Sequence, residues 1–301
     1  MNGAVRVREL ARIRLNARDP EGLTAFFVTS LGFTRQSGGG GRELLALGPT
    51  RLEIVRASGA RYPAAVPASS PLFQHFAIAT RDVGAAYSRL RQSSDWTPIT
   101  IDGPQRLPPG SGGVTAFKFR SPEGHPLELI SADTGELPRI DHSAISVADT
   151  GASVAFYEAL LLQRGDASYN HGPEQAQLDD LPAAEVDVTG LFAPRGAIHL
   201  ELLAYRTDRP SAQALPAPGD VAATRLVFTA DAPALEALRR RPDLEFAGAS
   251  PLLRDPDGHL LQFELERSLT DPRCARRRAA RWRRSSAWGS LRRSTGRSSR
   301  R

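Results

Sequence analysis

Apolar and polar residues alternate along two stretches of eight that share one template. His75-Phe-Ala-Ile-Ala-Thr-Arg-Asp82 and His142-Ser-Ala-Ile-Ser-Val-Ala-Asp149 both read His-x-Ala-Ile-x-x-x-Asp. A period of two is that of a half-buried β-strand, and an Asp closing the strand is suited to cap the N-terminus of a following helix. Two more stretches keep this plan without the His: Arg12-Ile-Arg-Leu-Asn-Ala-Arg-Asp19 and Thr224-Arg-Leu-Val-Phe-Thr-Ala-Asp231. Each of the four is followed by a helical spacing of apolar residues, then by strands that end in a Leu-Glu-like pair. Those pairs are Leu52-Glu53, Leu127-Glu128, Leu200-Glu201 and Leu261-Gln262.

The chain therefore reads as four copies of one βαβββ unit, at 8–58, 71–132, 138–206 and 221–266, the signature of a repeat architecture. In the first unit Pro20 stands at the favoured first helical position, and Ala25-Phe-Phe begins the apolar face. Helices are predicted near 83–91, 152–162 and 233–240. Ser121-Pro-Glu-Gly-His125-Pro-Leu-Glu128 and Asp255-Pro-Asp-Gly-His259-Leu-Leu-Gln262 nearly repeat one another, each a tight turn feeding a last strand. Connectors at 56–71 and 206–220 are long, whereas 132–139 is short.

Charge changes this picture in one respect. The net charge of +6 is carried by the end of the chain, where 267–301 holds 13 arginines against Asp271 alone. The other 266 residues hold 26 basic and 32 acidic groups, so the predicted body is mildly acidic and offers no nucleic-acid surface. The run at 267–301 has no apolar periodicity and is expected to be disordered. Trp282 and Trp288 within it are compatible with a basic tail that adheres to RNA or membranes, but a functionless extension is the simpler reading. Lys118 is the only lysine, which suggests a GC-rich genome more than a function. With Cys274 as the single cysteine there is no disulfide framework. No apolar run is long enough to span a membrane and no signal-peptide core opens the chain. A soluble cytoplasmic protein is the expectation, monomer or homodimer, acting on a small molecule.

Four βαβββ units, with His on first strands and Glu on last strands, resemble the vicinal oxygen chelate superfamily. That group includes glyoxalase I, methylmalonyl-CoA epimerase, extradiol dioxygenases and bleomycin-resistance proteins. The resemblance spans about 8–266 and implies an α+β fold. Four modules would pair into two glyoxalase-like domains, whose curved mixed sheets each form a cup around a divalent metal. Ligands would come from the first and last strands. Position by position these are Arg12 and Glu53, His75 and Glu128, His142 and Glu201, and Thr224 and Gln262. Only the second and third units supply both ligand types, so the resemblance implies one metal held by His75, Glu128, His142 and Glu201. Imidazole with carboxylate suits Fe, Zn, Mn, Ni or Co without distinguishing them. Glu201 and Glu128 are the candidate catalytic residues, as a carboxylate that borders or leaves the metal can act as a general base.

A lone His on a strand is more often hydrogen-bonded structure than a ligand; two at equivalent positions, each with its Glu, favour the metal. Glu53, lacking a His partner, reads as a solvated or ion-paired strand residue. His125 and His259 read as turn residues. His199 lies two before Glu201, on the same face of its strand, as a supporting or alternative ligand. The cluster Asn170-His171-Gly-Pro-Glu174-Gln175 makes His171 a substrate-contact candidate, with an ordinary capped turn as the plain alternative. Arg106 is a candidate anion contact, or a solvated loop residue. Three functions stay open: a metal-dependent lyase or isomerase of the glyoxalase/epimerase type, an Fe(II) extradiol dioxygenase, and a metal-free binding or resistance protein whose cup is lined with aromatics. Because only an inner pairing of units two and three brings all four ligands together, and the short 132–139 connector permits it, that pairing is predicted.

Overall fold

The computed structural model describes residues 6–64, 66–206, 214–241, 243–247 and 250–266. The tail expectation for 267–301 lies outside the described residues. The first unit comprises β1 (Val7–Ala17), α1 (Pro20–Leu31), β2 (Thr34–Gly39), β3 (Arg42–Leu47) and β4 (Thr50–Arg56). The second has β5 (Gln74–Thr80), α2 (Val83–Leu90), β6 (Thr97–Pro98), β7 (Gln105–Arg106), β8 (Thr115–Arg120) and β9 (Pro126–Ser131). The third has β10 (Arg139–Ser146), α3 (Thr150–Glu158), β11 (Gln163–His171), α4 (Pro173–Asp179), β12 (Glu185–Phe192) and β13 (His199–Tyr205). The fourth has β14 (Arg225–Ala230), α5 (Ala232–Arg239), β15 (Glu245–Ala247), β16 (Ser250–Arg254) and β17 (Leu260–Leu265). No helix among the described residues is long and apolar enough to cross a membrane.

Asp19, Asp82, Asp149 and Asp231 each accept from a backbone N–H in the first turn of the helix that follows. One helix was not expected. Gly172-Pro173-Glu174 starts α4 with Pro at its first turn and an acid facing the N-terminal dipole. Its seven residues carry too little apolar periodicity to announce it. Conversely α3 stops at Glu158, short of the predicted 162, and Leu161 turns left-handed at φ 68°.

Two curved mixed sheets result. The nine-stranded one runs β11-β12-β13-β10-β5-β9-β8-β6, with β7 also on β8; the eight-stranded one runs β15-β16-β17-β14-β1-β4-β3-β2. The second and third units thus share one sheet through the antiparallel β5/β10 pair, and the first and fourth share the other through β1/β14. Within each unit the first and last strands lie side by side and parallel. Alternation then assigns the faces. Phe76 and Ile78 of β5 belong to a core cluster with members from all four units, and Phe27 of α1 stacks on Phe76 at 6.1 Å. His75 and Ala77 face the other way.

Sequence neighbours are joined differently, through the Gly turns. His125 Nε2 donates to the carbonyl of Asn16 at 3.0 Å, while His259 Nε2 donates to that of Ser146 at the same distance. Beside them, Glu123 accepts from the Asp19 N–H and Asp257 from the Ala148 N–H, both at 2.8 Å. Far from being turn residues alone, these two histidines fasten unit two to unit one and unit four to unit three. Burial pushes the His125 imidazole down to about 4, only partly offset by the Asn16 carbonyl and the Glu123 charge. The unfolded chain, with an ordinary pKa near 6.5, binds its proton first as pH falls. Stability tied to His125 is therefore complete above about pH 6.5 and is lost as pH drops towards about 4. Denaturant unfolding at pH 7 and pH 4.5 should show wild type losing about 2–3 kcal/mol more than His125→Gln. Equal losses would contradict the buried neutral state.

Candidate metal centre

The concave face of the nine-stranded sheet gathers the residues of the shared octets. Glu128 on β9 lies opposite Ala77, and Glu201 on β13 lies opposite Ala144. The alanine common to both octets thus lies beside each carboxylate in the sheet. His75 sits opposite Ala144 across β5/β10, so the two histidines approach with ring centroids 5.9 Å apart. His75 Nε2 lies 3.1 Å from Glu128 Oε2, and His142 Nε2 lies 3.6 Å from that oxygen and 3.5 Å from Glu201 Oε2. His75, Glu128 and His142 form a tight buried group, their ligand atoms all within 4.8 Å of one another. Glu201 is the outlier, with a quarter of its side chain exposed.

The electrostatics of the group are set by burial and by neighbouring charges. Burial alone would raise the Glu128 carboxyl, but Lys118, His142 and His75 hold it well below the usual range. Burial and the Lys118 charge lower His75, the neutral form a metal needs. Burial opposes charge on His142 as well, yet Glu201, Asp141 and Glu128 together raise it well above its ordinary value. Its Nδ1 lies 3.3 Å from Asp141 Oδ2, which fixes the ring. Its Nε2 is buried without a hydrogen-bond partner. Ligand atoms about 2.1 Å from one ion, at right angles, stand about 3 Å from each other. His75 hydrogen-bonds Glu128 at 3.1 Å, while the orphaned His142 nitrogen stands 3.5 and 3.6 Å from its carboxylate neighbours, separations compatible with donors around one divalent ion.

Asp141, His142 and His199 make a second group of donor atoms. Asp141 is already paired with Arg139 at 2.5 Å. Burial would raise its carboxyl, but His142 above all, with His199 and Arg139, holds it down at about 2. It supports the His142 ring. His199 stacks on Phe192 at 4.8 Å and places Nε2 3.4 Å from Glu201 Oε1, so it orients the outlying carboxylate. His199→Ala should lower turnover about 10- to 100-fold while leaving bound metal near the wild-type content. Loss of the metal would instead make His199 a ligand.

A cavity of about 300 Å³ opens over these residues. His171 is not among its lining residues: along β11, Ser168 and Asn170 point in, while Tyr169 and His171 stack on each other outside. Arg106 is also absent from the lining and borders a neighbouring cleft of about 770 Å³ with Arg81. Lys118, Gln175 and Tyr205, none of them singled out from the sequence as site residues, do line the cavity. The clue for Lys118 was its uniqueness in the chain; Gln175 ended the cluster that pointed to His171.

Among the described residues the eight-stranded sheet has no such arrangement. Strand register sets Arg14 opposite Glu53 and Val227 opposite Gln262, as Ala77 is opposite Glu128. The counterparts of His75 are thus Arg12 and Arg225; the expected Thr224 is one residue out of step. Glu53 is fully buried, which corrects the solvated alternative, and accepts from Arg12 and Arg14 at 2.8 Å each while pairing also with Arg42. Arg14 and Arg225 both donate to Gln262. Guanidinium groups occupy the place where the other sheet would receive a metal.

The Glyoxalase/Bleomycin resistance protein/Dioxygenase superfamily model matches residues 9–129 and 139–263. The chain belongs to this superfamily. Each match covers two consecutive units, whereas each sheet of this superfamily member combines units from both matches. Similar solved structures include glyoxalase I from Zea mays, at 16% identity and TM-score 0.57 over 85% of this chain and 92% of that one. A mutant of the same maize enzyme has TM-score 0.58 at 16% identity, over 86% and 94%. A putative dioxygenase from Bacillus subtilis follows at 13% identity and TM-score 0.55, over 87% and 86%. At such identities the likeness is one of fold. No curated protein matches by sequence.

Proposed function

We propose that the inner cup binds one divalent metal through His75, Glu128, His142 and Glu201 and that the protein is a lyase or isomerase of the glyoxalase/epimerase type. The observation that carries this reading is the second carboxylate. Glu201 faces the same cavity as the buried His75–Glu128–His142 group, yet is partly exposed and held from behind by His199. When bound, the ion would supply Lewis acidity that stabilises negative charge on two substrate oxygens. Glu201 takes a proton from the adjacent substrate carbon and returns it to the same or the neighbouring atom. Glu128, shared between His75 and His142 and held deprotonated, against burial, by the Lys118 charge together with those two rings, is the fixed carboxylate.

The runner-up is an Fe(II) dioxygenase, because the tightest three residues are two His and one carboxylate. A metal-free binding role has less support, since Tyr205 is the single Phe, Tyr or Trp in the cavity lining. One experiment separates them. Purified protein is incubated in deuterated water with an α-hydroxycarbonyl compound, and catechol-dependent oxygen uptake is measured in parallel. Deuterium incorporation that Glu201→Gln abolishes, without oxygen uptake, is the expected result. Iron-dependent oxygen uptake would favour the runner-up, and absence of metal would favour the third reading.

A further inference from the structure

We infer that Lys118 anchors an anionic oxygen group of the ligand, so that the molecule handled in this cavity is a small carboxylate. This rests on the reading that the cavity binds a substrate whose other end meets the His/Glu cluster. Lys118 is the only lysine in a chain whose Lys and Arg number 39 together. Elsewhere even buried cations such as Arg14 and Arg225 are arginines. An ammonium differs from a guanidinium in being a compact point charge with three donors that can turn. Here its side chain is 5% exposed, and Nζ donates to Asp179 Oδ1 at 2.5 Å.

Asp179 is engaged on both oxygens: besides Lys118 on Oδ1, Oδ2 accepts from Gln175 Nε2 at 2.7 Å and from the Tyr205 hydroxyl at 2.9 Å. For Lys118, Asp179 is the one hydrogen-bond acceptor among the described residues, which leaves two N–H groups for the cavity that Lys118 lines. Beside it, Gln175 is buried with Oε1 unpartnered. The amide orientation follows from its contact, since a carboxylate can only accept and so faces the nitrogen. Oε1 is closed off from solvent, so it is the unused donors of Lys118 that call for an acceptor from a ligand in the cavity. A carboxylate supplies one.

Lys118 lies directly across from Glu128 in the β8/β9 register, so both side chains leave the sheet on the same face. Leu178, Leu203 and Ile130 line the same space. At about 300 Å³ the cavity is at the small end of ligand sites. A short molecule with an oxygen pair at the His/Glu cluster, an apolar link and a carboxylate at Lys118 matches these features.

Because there is one lysine, full-length protein grown on [ε-¹³C]lysine reports Lys118 as a single resonance. Malate is titrated against its analogue bearing a methyl in place of the distal carboxylate, and the metal content of each sample is measured. Malate should move the resonance saturably, with an affinity about tenfold or more above that of the analogue, and Lys118→Met should remove that preference. No shift, or equal affinity for both compounds, would overturn the inference and make Lys118 a counter-ion to Asp179 alone. Should Lys118→Met fail to fold, the wild-type titration still decides. A malate-selective shift in protein that binds no metal would uphold the lysine subsite while refuting the metal reading. Metal without a shift would do the reverse.

Discussion

His142→Ala should lose bound divalent metal almost entirely and should also destabilise the metal-free protein by about 3–5 kcal/mol. Two causes act together. The ring nitrogen facing Glu128 and Glu201 is the proposed ligand atom that has no hydrogen-bond partner among the described residues. In the absence of metal the same ring, its pKa raised well above the ordinary value, is the cation between Asp141, Glu128 and Glu201. Removing it leaves buried carboxylates facing one another. The sign of the pH effect follows: in metal-free protein this stabilisation is present below the unfolded pKa near 6.5 and is lost as pH rises through the higher folded value. Metal must displace that proton, so affinity falls with falling pH. His75→Ala should lose metal equally but cost less stability, since His75 is held neutral and offers one hydrogen bond to Glu128. Elemental analysis and denaturant unfolding check both, and unchanged metal in both variants would contradict the ligand assignment.

Glu53→Gln should destabilise the protein by about 3–5 kcal/mol without changing metal content or turnover. Glu53 has no exposed surface and is held deprotonated, against burial, by Arg12 and Arg14. The neutral amide leaves those guanidinium groups and Arg42 without their common partner in a region closed to water. Glu128→Gln occupies the matching position in the other sheet and should have the opposite profile, with metal lost and a smaller stability change. Unfolding curves and metal analysis on both variants test the contrast. Loss of metal from Glu53→Gln would show that the two sheets do not divide the work as their side chains indicate.

Much of this division was legible in the octets. His75 and His142, each with a Glu at its matching strand, pointed to units two and three sharing a sheet, a pairing that the short connector permitted. The structure adds where the octet's alanine falls: Ala77 and Ala144 lie opposite the two glutamates. Period-two spacing puts Asn170 and His171 on opposite faces, and only the cavity lining tells which of them points in. Other features depend on contacts between distant parts of the chain. Nothing local in His125 or His259 points to the carbonyls of Asn16 and Ser146, 109 and 113 positions away. Asp179 becomes significant only when α4 brings it to Lys118 of another unit. The offset of unit four arises because its strand joins its capping Asp one residue sooner, so the repeat pointed to Thr224 while the register selects Arg225.

The most direct test of the central claim is the stoichiometry and position of bound metal, read together by anomalous scattering from crystals of metal-loaded full-length protein. One divalent ion per chain is expected, within about 2.0–2.2 Å of His75, His142, Glu128 and Glu201, with none on the eight-stranded sheet. An ion among Arg12, Glu53 and Gln262, or a loaded crystal with no ion at His75 and His142, would contradict it.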